Sequence, residues 1–308
     1  MTSTAFITHR ECWLHNMGDH HPECPDRLSA INDRLIAAGL DMYLGFYDAP
    51  VAELEQIARA HPMEHVKAMM ANVPEHGIRH VDPDTAMCPH TMQAALRSAG
   101  AGILATDLVL KKEIENAFCA IRPPGHHAEA TKAMGFCFVN NVAIAARHAL
   151  EVHGLERVAI VDFDVHHGNG TEDIFKDDPR VLMVSIFQHP FYPYSGADNP
   201  APNMVNVPVP AGTRGDAFRQ IVSDIWVPAL RDHWPQMIFI SAGFDAHYED
   251  DMGSLGLVEA DYVWATEQLK VVAEECCEKR IVSILEGGYS LSSLARSVVS
   301  HVKSLADL

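Results

Sequence analysis

The 308-residue sequence predicts an α/β domain with a mostly parallel central sheet and helices on both faces, and three observations predict it. Six short apolar runs rich in β-branched and aromatic residues recur along the chain: AFITH (5–9), NAFCAI (116–121), RVAIVDF (157–163), VLMVSIF (181–187), MIFISAGF (237–244) and RIVSILEGGY (280–289). They read as buried parallel strands, apolar on both faces. Helix-period segments lie between them, and that alternation is the mark of a layered α/β architecture. Polar, glycine-rich clusters stand at 122–127, 162–171, 243–251 and 286–289, where strands should end and where parallel sheets bind ligands.

Among the helical segments, PDRLSAINDRLIAAG (25–39) sets Leu28, Ile31 and Leu35 on one face, with Pro25 in the first turn and Gly39 as the stop. Others run near 91–110, 139–153, 216–233, 259–277 and 290–306. The last, SLSSLARSVVSHVKSLADL, reads as an amphipathic helix packed on its own domain. No repeat, low-complexity tract or Pro/Gly/Ser linker divides the sequence, so residues 1–308 are expected to form a single domain.

Hydrophobic residues make up 48% and charged residues 21%, ordinary for a soluble globular chain. No run of about 18 uncharged apolar residues is present to span a membrane. The N-terminal MTSTAFITHRECW lacks a basic n-region and an apolar h-region, so a cytoplasmic location is expected. Seven cysteines (Cys12, Cys24, Cys88, Cys119, Cys137, Cys276, Cys277) without CxxC spacing read as free thiols in a reducing compartment. The formal charge of −18 disfavours nucleic acid and anionic lipid and would attract a cationic substrate. The same charge equally serves solubility, or reflects a saline habitat.

The stretch VDFDVHHGNGT (161–171) ends an apolar run with two acids and two histidines. If the chain stays extended through 162–166, its period of two turns Asp162, Asp164 and His166 to one side. Alternatively one aspartate caps the next turn and the other is solvated. In SAGFDAH (241–247), Asp245 follows another apolar strand and either forms a turn or supplies a further oxygen. Asp164, His166 and Asp245 together would make a three-ligand site with a position left open, as in catalytic zinc sites. The same donors admit Fe²⁺ or Co²⁺. RPPGHHAE (122–129) presents His126 and His127 from a rigid loop, and an imidazole is a natural base for a water nucleophile. EGGY (286–289) brings Tyr289 inward as a donor to a developing oxyanion, or leaves it a rim tyrosine half-packed on the core.

Taken in order, RPPGHH, GFCFVNN (135–141), DFDVHHGNGT (162–171), SAGFDAH and EGGY resemble the zinc-dependent histone deacetylase family, which includes the acetylpolyamine amidohydrolases. The resemblance spans nearly the whole chain and is to a class II-like bacterial deacetylase. It implies the arginase–deacetylase fold, a single α/β domain around a parallel eight-stranded sheet. It also implies that Asp164, His166 and Asp245 hold zinc. His127 is then the base that takes the water proton and later gives it to the leaving amine, with His126 its electrostatic partner held by buried Asp162. Tyr289 polarises the substrate carbonyl, and Gly168 and Gly170 let the loop turn tightly. Asn169 stands where class I enzymes carry aspartate and class II enzymes asparagine; an amide raises the His127 pKa less than a carboxylate would. Class IIa enzymes replace the tyrosine with histidine, which this chain does not. A structural potassium ion is implied at Asp162 and Ser185.

For the substrate tunnel, the resemblance places Phe136, beside Gly135, as one aromatic wall and Tyr192, in HPFYPYSG (189–196), as the other. Met252 lies seven residues after Asp245, where the polyamine deacetylase of the animal class IIb group carries a glutamate gatekeeper. Acidic Glu249, Asp250 and Asp251 would still attract a cationic amine, while the short first loop ECWLHNMGDHHPECPDR (11–27) favours an open site. The expected activity is therefore hydrolysis of acyl-lysine in a peptide or protein, with acetylpolyamine hydrolysis as the alternative. A catalytically idle acyl-lysine binder would have lost a ligand, the base or the tyrosine, and this chain has lost none. An arginase-like dimanganese site needs a richer set of aspartates.

Overall fold

The structure, a computed structural model, describes residues 4–308, so residues 1–3 of the expected domain and leader reading lie outside the described residues. In chain order the strands are β1 (Thr4–Thr8), β2 (Gly45–Asp48), β3 (Arg79–His80), β4 (Ala86–Met87), β5 (Asn116–Cys119), β6 (Val158–Asp162), β7 (Val181–Gln188), β8 (Met204–Val209), β9 (Ile238–Ala242) and β10 (Ile281–Leu285). Eight form one sheet in the order β2-β1-β5-β10-β9-β6-β7-β8, and β3 and β4 form a separate antiparallel ribbon. Every pair in the large sheet is parallel. The chain thus has the α/β architecture its sequence predicts, the arginase–deacetylase fold.

The six apolar runs appear as β1, β5, β6, β7, β9 and β10. The sequence reading missed β2 and β8, which are the two edges of the sheet. GFYD alternates half-buried with exposed residues, and MVNVPV carries Pro208. Proline lacks the N–H of a central ladder and is tolerated at an edge. Edge strands therefore carry a weaker apolar signal than central ones.

Two helix layers cover the sheet. Thr91–Leu110 packs against Asn141–Glu151, whereas Leu291–Leu305 packs against both Asp26–Ala37 and Glu259–Cys276. In Asp26–Ala37 the buried face is Leu28, Ile31 and Leu35, and Gly39 past its end adopts φ +68, a left-handed conformation that glycine takes at no steric cost. The predicted 216–233 helix is divided, with Gly215–Ile221 and Val227–His233 joined through a π-type turn at Val222–Trp226. Pro228 supplies the cause: it cannot donate to the carbonyl four residues back, and its ring crowds it. The helices Leu54–Ile57, Met63–Ala71 and Asn169–Phe175 lay outside the sequence reading. No helix among the described residues is long and apolar enough to cross a membrane.

The sheet order decides where chemistry can occur. Strands β5, β10, β9 and β6 are consecutive, and each of the four polar clusters begins at or just beyond the carboxyl end of one of them. Phe163 and Phe244 precede Asp164 and Asp245 and are fully buried, their rings 5.7 Å apart and both against Tyr262. Each ring anchors the backbone from which the next carboxylate projects.

Candidate active site

Beyond β6 the chain does not stay extended: the strand ends at Asp162 and residues 164–166 bend. Two aspartates drive the bending by accepting backbone hydrogen bonds from two residues on. Asp164 N donates to Asp162 Oδ1 (3.1 Å) and His166 N to Asp164 Oδ1 (2.9 Å). Asp162 consequently faces away from the ligand cluster and accepts from His126 Nδ1 (2.9 Å). The glycines also differ in role from the expectation of a tight turn. Gly168 has φ −74 and Asn169 opens a helix. A Cβ at Gly168 would lie 2.4 Å from Asp162 Oδ2, and one at Gly170 2.2 Å from Ala128 O. Close packing against the histidine loop excludes side chains there.

Asp164, His166 and Asp245 come together, all buried. His166 Nδ1 lies 3.0 Å from Asp164 Oδ1 and 3.3 Å from Asp245 Oδ2, close to the separation of about 3.3 Å between ligands of a tetrahedral ion with bonds near 2 Å. Asp245 Oδ1 accepts from Val165 N (2.9 Å), whereas buried Oδ2 has no hydrogen-bond partner. Such an orphan is costly unless a cation meets it. The electrostatics agree. Burial and the charge of Asp164 push Asp245 up to about 7. Although burial works to lower it, the adjoining carboxylates of Asp164 and Asp245 carry His166 up to about 10. The donor set fits a divalent metal. Two glycines make room for the donor carboxylates, since a Cβ would lie 2.1 Å from Asp164 Oδ2 at Gly243 and 2.0 Å from Asp245 Oδ2 at Gly287.

The histidine pair sits beside this cluster, its rings 4.1 Å apart. Burial opposes a charge on His126, but Asp164 and Asp162 outweigh it and hold its pKa well above the usual value. His127 goes the other way: burial, then the neighbouring His126 and His166, push it well below. Its Nδ1 is 2.7 Å from Asn169 Oδ1, and Asn169 Nδ2 donates to Glu129 Oε1 (2.8 Å). Glu129 therefore fixes which end of the amide faces His127. The oxygen accepts from Nδ1–H, leaving the lone pair on Nε2.

A cavity of about 290 Å³ opens above these groups, lined by Gly135, Phe136, Tyr192, Met252 and Tyr289 with His127 and His166 at its floor. Phe191 lines it too and stacks on His166 at 5.4 Å, while the Tyr192 ring meets His127 edge-on at 5.1 Å. Burial raises the Tyr289 hydroxyl well above its usual pKa, keeping it protonated as a donor. Of the three acids after Asp245, only Asp251 faces the cavity, joined by Asp84 from the β3–β4 turn. Glu249 pairs with Arg296 (2.8 Å) and Asp250 is buried against backbone N–H groups. Ser185 pairs in register with Asp162 and donates to Asn206 Oδ1 (3.3 Å).

Sequence reasoning missed three supports. Glu286, the first residue of EGGY, accepts from the backbone N–H of Gly125 (2.7 Å) and His126 (3.1 Å), so the β10 end holds the histidine loop. Glu129 orients Asn169 as described. Arg27 donates to Gly288 O (2.7 Å) and lies 4.9 Å from the Tyr289 ring, itself paired with buried Glu23 (3.0 Å), which Arg122 also clasps. The first two stood inside quoted motifs. Arg27 sits one turn from the predicted apolar stripe, and only its buried partner gives it meaning.

A parallel sheet that gathers metal-donor carboxylates, a histidine pair and a phenol at the ends of its four central strands is the architecture of an arginase–deacetylase-fold amidohydrolase. The chain matches the histone deacetylase domain over residues 21–305 and belongs to the histone deacetylase family. It is 37% identical over 296 residues to a probable deacetylase of Archaeoglobus fulgidus, covering 94% of this chain and 82% of that protein. It is 35% identical over 311 residues to the histone deacetylase-like amidohydrolase of Pseudomonas aeruginosa, covering 93% and 82%. Among solved structures, the HDA15 HD domain superposes with a TM-score of 0.94 at 33% identity, over 99% of this chain and 88% of that one.

Proposed function

We propose that this deacetylase-family protein is a zinc-dependent deacylase acting on N-ε-acyl-lysine in peptides or proteins. One observation carries the reading: the Asp164–His166–Asp245 donor set, His127 and Tyr289 converge at one aromatic-walled cavity. Zinc held by those three ligands would supply Lewis acidity toward the acyl carbonyl and the attacking water, and Fe²⁺ or Co²⁺ suits the same donors.

The remaining roles belong to the chain. His127 Nε2, neutral at pH 7, takes the proton from water and returns it to the departing lysine amine. His126, kept cationic by Asp162 and Asp164, offsets the negative charge that develops beside it. The Tyr289 hydroxyl donates to the carbonyl oxygen as it becomes an oxyanion, worth on the order of 10²–10³ in rate. Phe136 and Tyr192, with Gly135 and Met252, flank the apolar lysine stem. Asp162 and Ser185 are the residues we assign to a structural potassium ion. Asp84 and Asp251 at the same cavity favour a second reading, an acetylated polyamine whose further ammonium groups would meet those carboxylates.

The test offers metal-replete protein an acetyl-lysine peptide and acetylputrescine side by side, with Tyr289→Phe and a chelated sample as controls. Peptide turnover lost in both controls supports the lysine reading. Turnover mainly of acetylputrescine replaces it with the polyamine reading, and activity on neither despite bound zinc overturns both.

A further inference from the structure

Asp250 lies between two loops that the proposed reaction requires to stay in register. Its carboxylate is buried, at 4% exposure, and its partners are three backbone N–H groups. Oδ2 accepts from Tyr289 N (2.6 Å) and Ser290 N (3.0 Å), and Oδ1 from Met252 N (3.0 Å). One rigid group thereby joins the loop after β9, which carries Asp245 and the cavity residue Met252, to the loop after β10, which carries Tyr289.

The first half of the second loop is held elsewhere, Gly287 N donating to Asp164 Oδ2 (2.9 Å) and Gly287 O accepting from Phe244 N (3.0 Å), so the Tyr289 end is left to Asp250 and Arg27. Residues 286–290 form no regular structure, Gly288 takes φ +119, and Ser290 begins the helix Leu291–Leu305 without a side-chain cap. Arg27 holds the carbonyl of Gly288, while the N–H groups at 289 and 290 rest on Asp250. A carboxylate at this helix start also meets the positive end of the helix dipole. An amide in its place would keep one acceptor oxygen and turn an NH₂ toward at least one of the three donors. That donor would be left buried and unpaired, and the loop would shift to relieve it.

Building on the proposed role of Tyr289, we infer that Asp250 is a positioning residue that sets the Tyr289 hydroxyl over the metal-donor cluster and ties it to the Met252 wall. The test is a double-mutant cycle in the metal-loaded enzyme with Asp250→Asn, Tyr289→Phe and the combination, reading kcat, KM and the thermal midpoint on an acetyl-lysine peptide. A displacement of about 1 Å costs on the order of a hundredfold. Asp250→Asn should therefore lower kcat by about ten- to a hundredfold, with a smaller change in KM. In the Tyr289→Phe background the same substitution should cost less than about threefold, because the group it positions is gone. Equal loss in both backgrounds, or a lower midpoint with kcat unchanged, overturns the inference. Full activity of Tyr289→Phe alone would instead remove the tyrosine from the proposed mechanism, so the two failures are distinguishable. If Asp250→Asn does not fold, Ser290→Pro takes its place in the cycle. Ser290 has φ −75, which proline adopts, so that variant deletes one donor, and a several-fold loss of kcat confined to the Tyr289 background is expected.

Discussion

Asp164, His166 and Asp245 gather beyond two central strands, while Asp107, His148 and His153 gather on and beside the helices Thr91–Leu110 and Asn141–Glu151. Both groups offer metal-donor atoms within 4.8 Å of one another, yet their surroundings separate them. In the helix group both imidazoles place Nε2 on the same Asp107 oxygen, at 2.8 and 2.7 Å, which are hydrogen-bond distances. Arg59 donates to the other nitrogen of His148 (3.2 Å), and Lys111 lies 3.7 Å from Asp107 Oδ2. Protons and cations already satisfy that carboxylate. At the strand ends, no lysine or arginine pairs with the two ligand carboxylates among the described residues, and Asp245 Oδ2 has no donor at all. Donor composition alone proposes a metal at both groups; the unmatched carboxylate oxygen favours the strand ends.

That contrast can be broken most directly at the ligands. Asp245→Asn should abolish metal binding and reduce activity by at least about a thousandfold, as expected where one group supplies most of the charge stabilisation. Metal content by elemental analysis beside turnover checks it. Tyr289→Phe should retain the metal and lose about a hundred- to a thousandfold in kcat, so retained activity would return Tyr289 to a rim residue. Glu129→Gln frees the Asn169 amide to flip and should cost about tenfold in kcat. A shifted acid limb of the pH–rate profile would report the altered His127 environment.

Buried imidazoles with no carboxylate partner sharpen the comparison through stability. Burial lowers His61 to about 4 and His301 to about 3, from an ordinary 6.5. His301 instead sits between Thr266 Oγ1 (2.6 Å) and Ser283 Oγ (2.9 Å). Below pH 6.5 the unfolded chain binds protons that the folded one refuses, so stability present above that pH is lost as pH falls toward 3–4. The slope is about 1.4 kcal/mol per pH unit for each histidine. Denaturant unfolding at pH 7, 6 and 5 should show a slope for His301→Gln shallower by about that amount. The smallest effect belongs to the helix group. Asp107→Asn should leave metal content and kcat unchanged and cost about 1 kcal/mol of stability; loss of a metal equivalent would show that the group binds one after all.

Legibility followed burial. The strands β5, β6, β9 and β10 are apolar on both faces, and each announces itself in sequence, as does the polar cluster that follows it. Strands β2 and β8 at the edges do not, because one flank is wet and Pro208 is permitted there. At the site, Asp162, Asp164, His166, Asp245, the histidine pair and Tyr289 could be named from local motifs, since each lies within a few residues of a strand end. The direction of Asp162 could not be read. An extended chain would have aimed it with Asp164, and the observed bends turn it to His126. Asp250 likewise reads in sequence as one of three acids that would attract a cationic amine, whereas the fold spends it on three backbone N–H groups.

The sequence by itself determined the α/β class, the family and the candidate site residues, because strand periodicity and short motifs are properties of neighbouring residues. Tertiary structure alone decided which acids are charged, paired or orphaned. Glu286 reaching Gly125, Glu129 orienting Asn169 and Asp250 holding Tyr289 are contacts across 161, 40 and 39 positions. They exist only because the sheet places β5, β10, β9 and β6 side by side, where water is excluded and each unmet charge must find a partner.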